Sequence, residues 1–178
     1  LALLRTSHLD AAADDRGARR IVEDIFAELT SLLEGVTLLR EQSERTYALL
    51  SSFGERLCAP LFAARLRAQG VAGLALDARK FIHTDAHYRS ALVDVSRTMK
   101  GIGEYVGKPL AQGKVPVITG YLGSTEDGIT TTLGRSGSDF TATLIGQALK
   151  ATEVCIWTDV DGILTADPRL VREARTLP

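Results

Sequence analysis

The chain has 178 residues, 45% of them hydrophobic, and a net charge of −1 from 21 basic and 22 acidic side chains. That suits a single domain with one substantial core, and the interspersed charges form no basic stripe of the kind that binds nucleic acid. No apolar run reaches the roughly 18 residues of a membrane span, and nothing at the N-terminus resembles a signal peptide. Cys58 and Cys155 lie far apart among apolar neighbours, which reads as two reduced, buried thiols in a reducing, cytoplasmic compartment.

In chain order, the opening "LALLRTSHLDAAADD" reads as a helix entered part-way along, and "VREARTLP" stops without a closing element. A piece of a longer chain is therefore expected. From Arg16 to Glu34, apolar residues at Val22, Ile25, Phe26, Leu29, Leu32 and Leu33 mark an amphipathic helix, with Gly35 as its stop. A second helix starts near Ser43, and Pro60 is expected to interrupt or kink it, because proline lacks the amide donor. One or two further turns end at Gly70. "GLALDAR" reads as a short strand with a polar edge, and "HYRSALVDVSRTMKGIGEYV" as another helix. "VPVIT", Val115 to Thr119, is a strand apolar enough for burial on both faces. "GYLGSTEDGIT" reads as a loop with a turn at Asp127-Gly128.

The stretch that follows, "TTTLGRSGSDFTATLIGQALKATEVCIWTDVDGILTADPR", reads as a glycine loop, a helix carrying Phe140, Leu144, Ile145, Ala148 and Leu149, and a strand "EVCIWT". Together with a preceding strand this makes a βαβ unit, and the alternation along the chain predicts an α/β fold with a largely parallel sheet.

Two loops in this stretch carry chemistry. In "LGRSGSD", the glycines allow close backbone approach, Ser136 or Ser138 can cap the next helix, and Asp139 suits its positive end. A helix N-terminus offers unpaired amides to an anion, and Arg135 adds a forked cation. The plainer reading is a glycine turn with a solvated Arg135. The loop matches neither a Walker A motif nor G-x-G-x-x-G, so by itself it indicates an anion without saying which. In "TDVDGILTADPR", Thr158, Asp159 and Asp161 either bond a ribose or base, hold a metal, or simply form two Asp-centred turns. Glu55 lies beside Gly54 in an apolar helical pattern, either on the polar face or aimed into a site. His83 and His87 have metal-ligand spacing but no acidic third ligand, so they read as surface histidines and no metal ligand is assigned.

The stretches "TTTLGRSGSDFTA" and "IWTDVDGILTADPR", with "SSFGERL", "DAR" and "VPVITGYLG" in matching order, resemble the aspartate kinases of the amino-acid kinase superfamily. The resemblance covers nearly the whole chain. It implies a three-layer α/β/α sandwich around a mostly parallel sheet, with residues 1–178 forming part of the kinase domain. It also implies phosphoryl transfer from ATP with Mg²⁺ to the side-chain carboxylate of L-aspartate, the first step towards lysine, threonine and methionine. By position, Glu55 would bind the α-ammonium group, and Arg135, Thr132 and the Ser136-Gly137-Ser138 backbone the carboxylate. Asp139 would organise phosphate-binding lysines, and Thr158, Asp159, Leu164 and Arg169 would serve the nucleotide. The parent would be a homo-oligomer. A catalytic histidine is not required, because the acceptor carboxylate is already ionised above a pKa of about 4.

Departures from the family pattern accompany this. The usual Lys-x-Gly-Gly strand and Ser-Ala segment are not in the sequence, so the chain alone is expected to be inactive. Leu164 stands where tyrosine is common, "GRSG" replaces Gly-Arg-Gly-Gly, and Pro60 is unusual beside Glu55. The rival readings are a related kinase with another acceptor and a non-catalytic nucleotide-binding or regulatory domain.

Overall fold

A computed structural model describes residues 1–157, 162, 164–167 and 169–177. Three helices come first: α1 (Ala2–Ala11), α2 (Arg16–Leu39) and α3 (Glu44–Ala68). Helix α2 starts where Asp15 accepts from the Ala18 amide at 2.9 Å, and α3 where Ser43 accepts from Thr46 at 3.1 Å. The apolar spacing read from sequence becomes a core of Val22, Ile25 and Phe26 on α2 packed against Phe53 and Leu57 on α3. Both helices outrun the sequence expectation. Gly35 does not stop α2, which ends at Arg40 in a left-handed conformation (φ 55°). Pro60 does not break α3, although a proline removes one rung of the ladder. Pro60 is itself buried, and α3 packs on α2 and on the first strand, so tertiary contact outweighs the lost bond.

Asp15 also takes Arg67 from α3 at 2.8 Å. The Ala18 amide and the Arg67 guanidinium hold its carboxyl below the usual range against the opposing effect of burial. Asp15→Ala is expected to remove about 1–2 kcal/mol of stability at neutral pH, read as a Tm lower by several degrees. Because the folded pKa is depressed, the contribution is present above the unfolded value of about 4 and vanishes as pH falls through the folded one. Wild type and variant should therefore converge in acid, which thermal melts across pH would show.

Strands β1 (Gly73–Leu76) and β2 (Val115–Ile118) pair in parallel, with Gly73 opposite Val115 and Leu76 opposite Ile118. Between them run α4 (Val95–Ile102), a π-helical turn over Gly103–Gly107 and α5 (Lys108–Ala111). The parallel crossover therefore lies here. Its core of Phe81, Ile82, Ile102, Val106 and Leu144 is shared with the last helix.

Three further segments differ from the sequence reading. Residues 87–94 are loop rather than helix, because the Asp85 carboxylate takes the His87 and Leu92 amides (3.1 and 3.0 Å) and Thr132 O takes that of Ala91. Asp94 then caps α4. The segment read as a loop around Asp127-Gly128 forms an antiparallel hairpin, β3 (Leu122–Ser124) and β4 (Thr130–Thr132), with the turn where expected. All six strand residues are buried, held partly by hydroxyl bonds such as Thr84 Oγ1 to Thr131 Oγ1 at 2.7 Å. "EVCIWT" forms no strand over residues 153–157, where Val154, Ile156 and Trp157 are exposed. A parallel strand needs neighbours to pair with, and no described strand lies beside this one. The last helix, α6 (Gly137–Leu149), thus joins an antiparallel hairpin to an irregular segment.

Cys58 and Cys155 are free thiols, and both are exposed rather than buried. Among the described residues no helix is long and apolar enough to cross a membrane.

Candidate functional site

Beyond the carboxyl end of β2 the chain turns sharply. The Thr119 hydroxyl accepts from the Ala78 amide at 2.8 Å, tying the strand end to the residues after β1. Tyr121 follows Gly120 with φ 68°, a left-handed conformation that a bulky residue rarely adopts. It is over-determined on both sides: its amide donates to Thr141 Oγ1 (3.1 Å) and its carbonyl accepts from Leu133 (2.8 Å). Nothing in the sequence "ITGYLG" signals this, because the residue in the left-handed region is the tyrosine and not its glycine neighbour.

The hairpin then delivers the chain to Leu133, Gly134 (φ 76°), Arg135 and Ser136 (φ 57°). Two left-handed residues within three positions curl the loop over the start of α6. A Cβ on Gly137 would stand 2.8 Å from the Tyr121 ring and 3.1 Å from Leu133, so only glycine fits there. Neither Ser136 nor Ser138 caps α6 through its side chain: Ser136 occupies the cap position, but its left-handed backbone leaves the hydroxyl without a cap bond. The first-turn amides at Ser138 and Asp139 precede the intrahelical ladder, so they are donors in search of an acceptor. Ser138 and Asp139 are both exposed.

Across from this turn stands Glu55. A cavity of about 320 Å³ is lined by Glu55 of α3, Ile118 and Gly120 at the end of β2, and Ser138, Thr141 and Ile145 of α6. Glu55 is half-buried, and burial pushes its carboxyl up from the usual glutamate value. A cation placed in the cavity would reverse that effect.

Arg135 does not line this cavity. It opens into an adjoining cleft of about 540 Å³ with Glu44, Tyr47, Arg89, Ser90 and Tyr121. Gly120 lines one space and Tyr121 the other, so consecutive residues of the chain face the two. Sequence reading missed Arg89, whose guanidinium lies 4.1 Å from the Tyr47 ring centroid and 3.4 Å from Glu44. Thr132 is fully buried, its hydroxyl shared between the carbonyls of Arg89 (3.1 Å) and Tyr88 (3.3 Å). It holds the 88–91 loop against the hairpin, and so shapes the cleft from behind.

Of the second loop, Thr158, Asp159 and Asp161 lie outside the described residues. Leu164 is half-buried in an antiparallel bridge with Thr176. Arg169 is exposed and binds Asp167 through Nε (3.2 Å) and Nη2 (3.1 Å). Neither lines the Glu55 cavity or the Arg135 cleft. His87 is a surface residue paired with Asp85 at 2.8 Å.

An α/β fold with hollows beyond the end of a parallel strand, beside a glycine-turned helix N-terminus, has the layout in which α/β domains bind small ligands. The chain belongs to the Amino acid kinase family, whose model matches residues 5–178. It is 37% identical to an aspartokinase of Schizosaccharomyces pombe over 99% of its length, and 39% identical to lysine-sensitive aspartokinase 3 of Escherichia coli over 86%. It covers 35% of each of those proteins. Among solved structures, E. coli aspartokinase III in complex with aspartate and ADP superposes with a TM-score of 0.79. That match is at 36% identity, over 93% of this chain and 35% of that one. The chain thus spans about a third of the length of these relatives.

Proposed function

We propose that this chain is the acceptor-holding part of an aspartate kinase, residues 1–178 forming a portion of its kinase domain. The whole enzyme would transfer the γ-phosphoryl of ATP to the side-chain carboxylate of L-aspartate, giving β-aspartyl phosphate. The observation that carries this reading is the pairing of a half-buried carboxylate, Glu55, with the first turn of α6 in one cavity, and with Arg135 in the space next to it. An amino acid presents an ammonium and a carboxylate a few ångströms apart, and the two hollows offer one partner for each. Likeness to aspartokinases supports aspartate over other acceptors.

In this reading Glu55 receives the α-ammonium group. Arg135, with the backbone of Ser136, Gly137 and Ser138, receives the α-carboxylate, and the side-chain carboxylate is left free as nucleophile. ATP supplies the phosphoryl group and its Mg²⁺ offsets phosphate charge. The exposed first-turn amides of α6 suit an anion, and Asp139 on the same turn would orient lysines that reach the phosphates. Thr158 and Asp159, with Leu164 and Arg169 further along, would serve the nucleoside side. Two like-charged reactants have to meet, so positioning and charge neutralisation carry the catalysis and no general base is needed. A three-layer α/β/α sandwich, a homo-oligomeric parent and a cytoplasmic setting belong to the same proposal.

ADP release by the full-length enzyme tests the reading. It is expected to depend on L-aspartate and to saturate with it; ADP release indifferent to aspartate would overturn it.

A further inference from the structure

Arg79 touches neither hollow of the candidate site, yet it is built into the frame that carries both. Strand β1 ends at Leu76, and Asp77 accepts from the Arg79 amide at 3.0 Å to start a short 3-10 turn. The same carboxylate takes the Arg79 side chain, with Nε 3.0 Å from each oxygen. Burial pushes the Asp77 carboxyl up, but the bonds and charge of Arg79, helped by Arg56, hold it below the usual range. Asp77 therefore faces the guanidinium as a carboxylate at neutral pH.

With its Nε side fixed, the guanidinium points its free edge at the hairpin. Nη1 donates to Thr130 Oγ1 at 2.9 Å, and the Arg79 carbonyl accepts from the Ser124 hydroxyl at 2.7 Å. Ser124 and Thr130 are both buried, and they face each other in register as one end pair of β3 and β4. One residue thus grips both strands at one end. The opposite end pair, Leu122 and Thr132, lies two residues away, about 7 Å at strand spacing. Immediately beyond that pair stand left-handed Tyr121 on one strand and the Arg135 loop on the other.

We propose that Arg79 is a positioning residue for acceptor binding. Its fork fixes the hairpin against the end of β1, and the hairpin sets where Tyr121 and the Arg135 loop stand relative to Glu55. A packing role alone would not need a fork, since an apolar side chain fills space without the cost of partly desolvating an ion pair. The inference rests on the proposed acceptor site and adds to it a residue outside both hollows.

The test uses the full-length enzyme and two variants. Arg79→Lys keeps a charge for Asp77 but cannot hold Thr130 as well. Thr130→Val removes the hydroxyl and leaves Arg79 intact, which guards against a variant that fails to fold. Both are expected to raise KM for aspartate about tenfold or more, with KM for ATP within about twofold of wild type. Unchanged KM values with only a lower melting temperature or a smaller active fraction would make Arg79 purely structural and overturn the proposal. Wild-type enzyme without aspartate-dependent ADP release would instead defeat the acceptor assignment, and this inference with it.

Discussion

Arg135→Ala in the full-length enzyme is expected to cripple aspartate use while leaving ATP affinity nearly unchanged. Losing a charge-assisted pair that becomes desolvated on binding costs about 2–5 kcal/mol, roughly 30- to 4,000-fold in kcat/KM for aspartate. The selectivity follows from placement. Arg135 sits on the left-handed turn between Gly134 and Ser136 and opens into a cleft lined by Tyr47, Arg89 and Tyr121. The proposed nucleoside contacts belong to the loop after residue 157. Arg135→Lys should recover only part of the loss, because an ammonium keeps the charge without the two-point geometry. Equal weakening of aspartate and ATP would remove Arg135 from the acceptor site.

The second large effect concerns Glu55, where function and stability should move in opposite directions. Glu55→Gln removes the partner of the α-ammonium group, a charged hydrogen bond worth about 1.5–3 kcal/mol, so KM for aspartate should rise about 10- to 150-fold. Burial has raised the Glu55 carboxyl above its usual value. A raised folded pKa means that the folded state favours the protonated form. The associated stability is present below the unfolded value of about 4.3 and lost as pH climbs through the folded one. At neutral pH the ionised Glu55 is thus a liability to the ligand-free fold. The glutamine variant should melt no lower than wild type there, with any advantage shrinking in acid. For the wild type, KM for aspartate should fall as pH rises through the elevated Glu55 pKa. Thermal melts across pH beside substrate titrations separate the two effects; a Glu55→Gln variant that melts lower at neutral pH with an unaltered KM would contradict both.

The parts of this fold legible in the sequence are those where burial is apolar and periodic. Val22, Ile25 and Phe26 announce α2, and Phe53 and Leu57 announce α3, because each buries carbon against carbon. "VPVI" does form β2, but not as a strand buried on both faces: Val115 is exposed and the other three residues are half-buried, since β1 is its one partner among the described strands. The hairpin was hidden for the opposite reason. "LGS" and "TTT" carry little apolar signal, and their burial depends on hydroxyl bonds to Arg79, Thr84, Tyr88 and Arg89, which no local pattern reveals. The helix expected over 87–106 failed where Asp85 gathers loop amides, a side-chain competition that outweighs helical spacing. "EVCIWT" has strand composition, but a strand forms only where neighbours are available to pair with.

The candidate site divides along the same line. Glu55 stands out as a carboxylate inside an apolar helical pattern, and the Arg135 loop as a glycine-flanked cation before a helix. Their approach to adjoining hollows follows from β2 ending between them. Tyr121 and Arg79 were not legible in these roles. A left-handed tyrosine leaves no mark in composition, and Arg79 finds Ser124 and Thr130 across sequence separations of 45 and 51 residues. "DAR" could be noted as a motif, but its use depends on a hairpin the sequence did not show.

The central claim, that Glu55 and Arg135 hold aspartate so that its side-chain carboxylate takes the phosphoryl group, makes the reaction product an acyl phosphate. Hydroxylamine captures such a product as a hydroxamate. Full-length enzyme incubated with ATP, Mg²⁺ and hydroxylamine should yield the hydroxamate with L-aspartate and little or none with glutamate or acetylglutamate. No hydroxamate from aspartate, with one formed from either of the other acids, would contradict the assignment of these two residues.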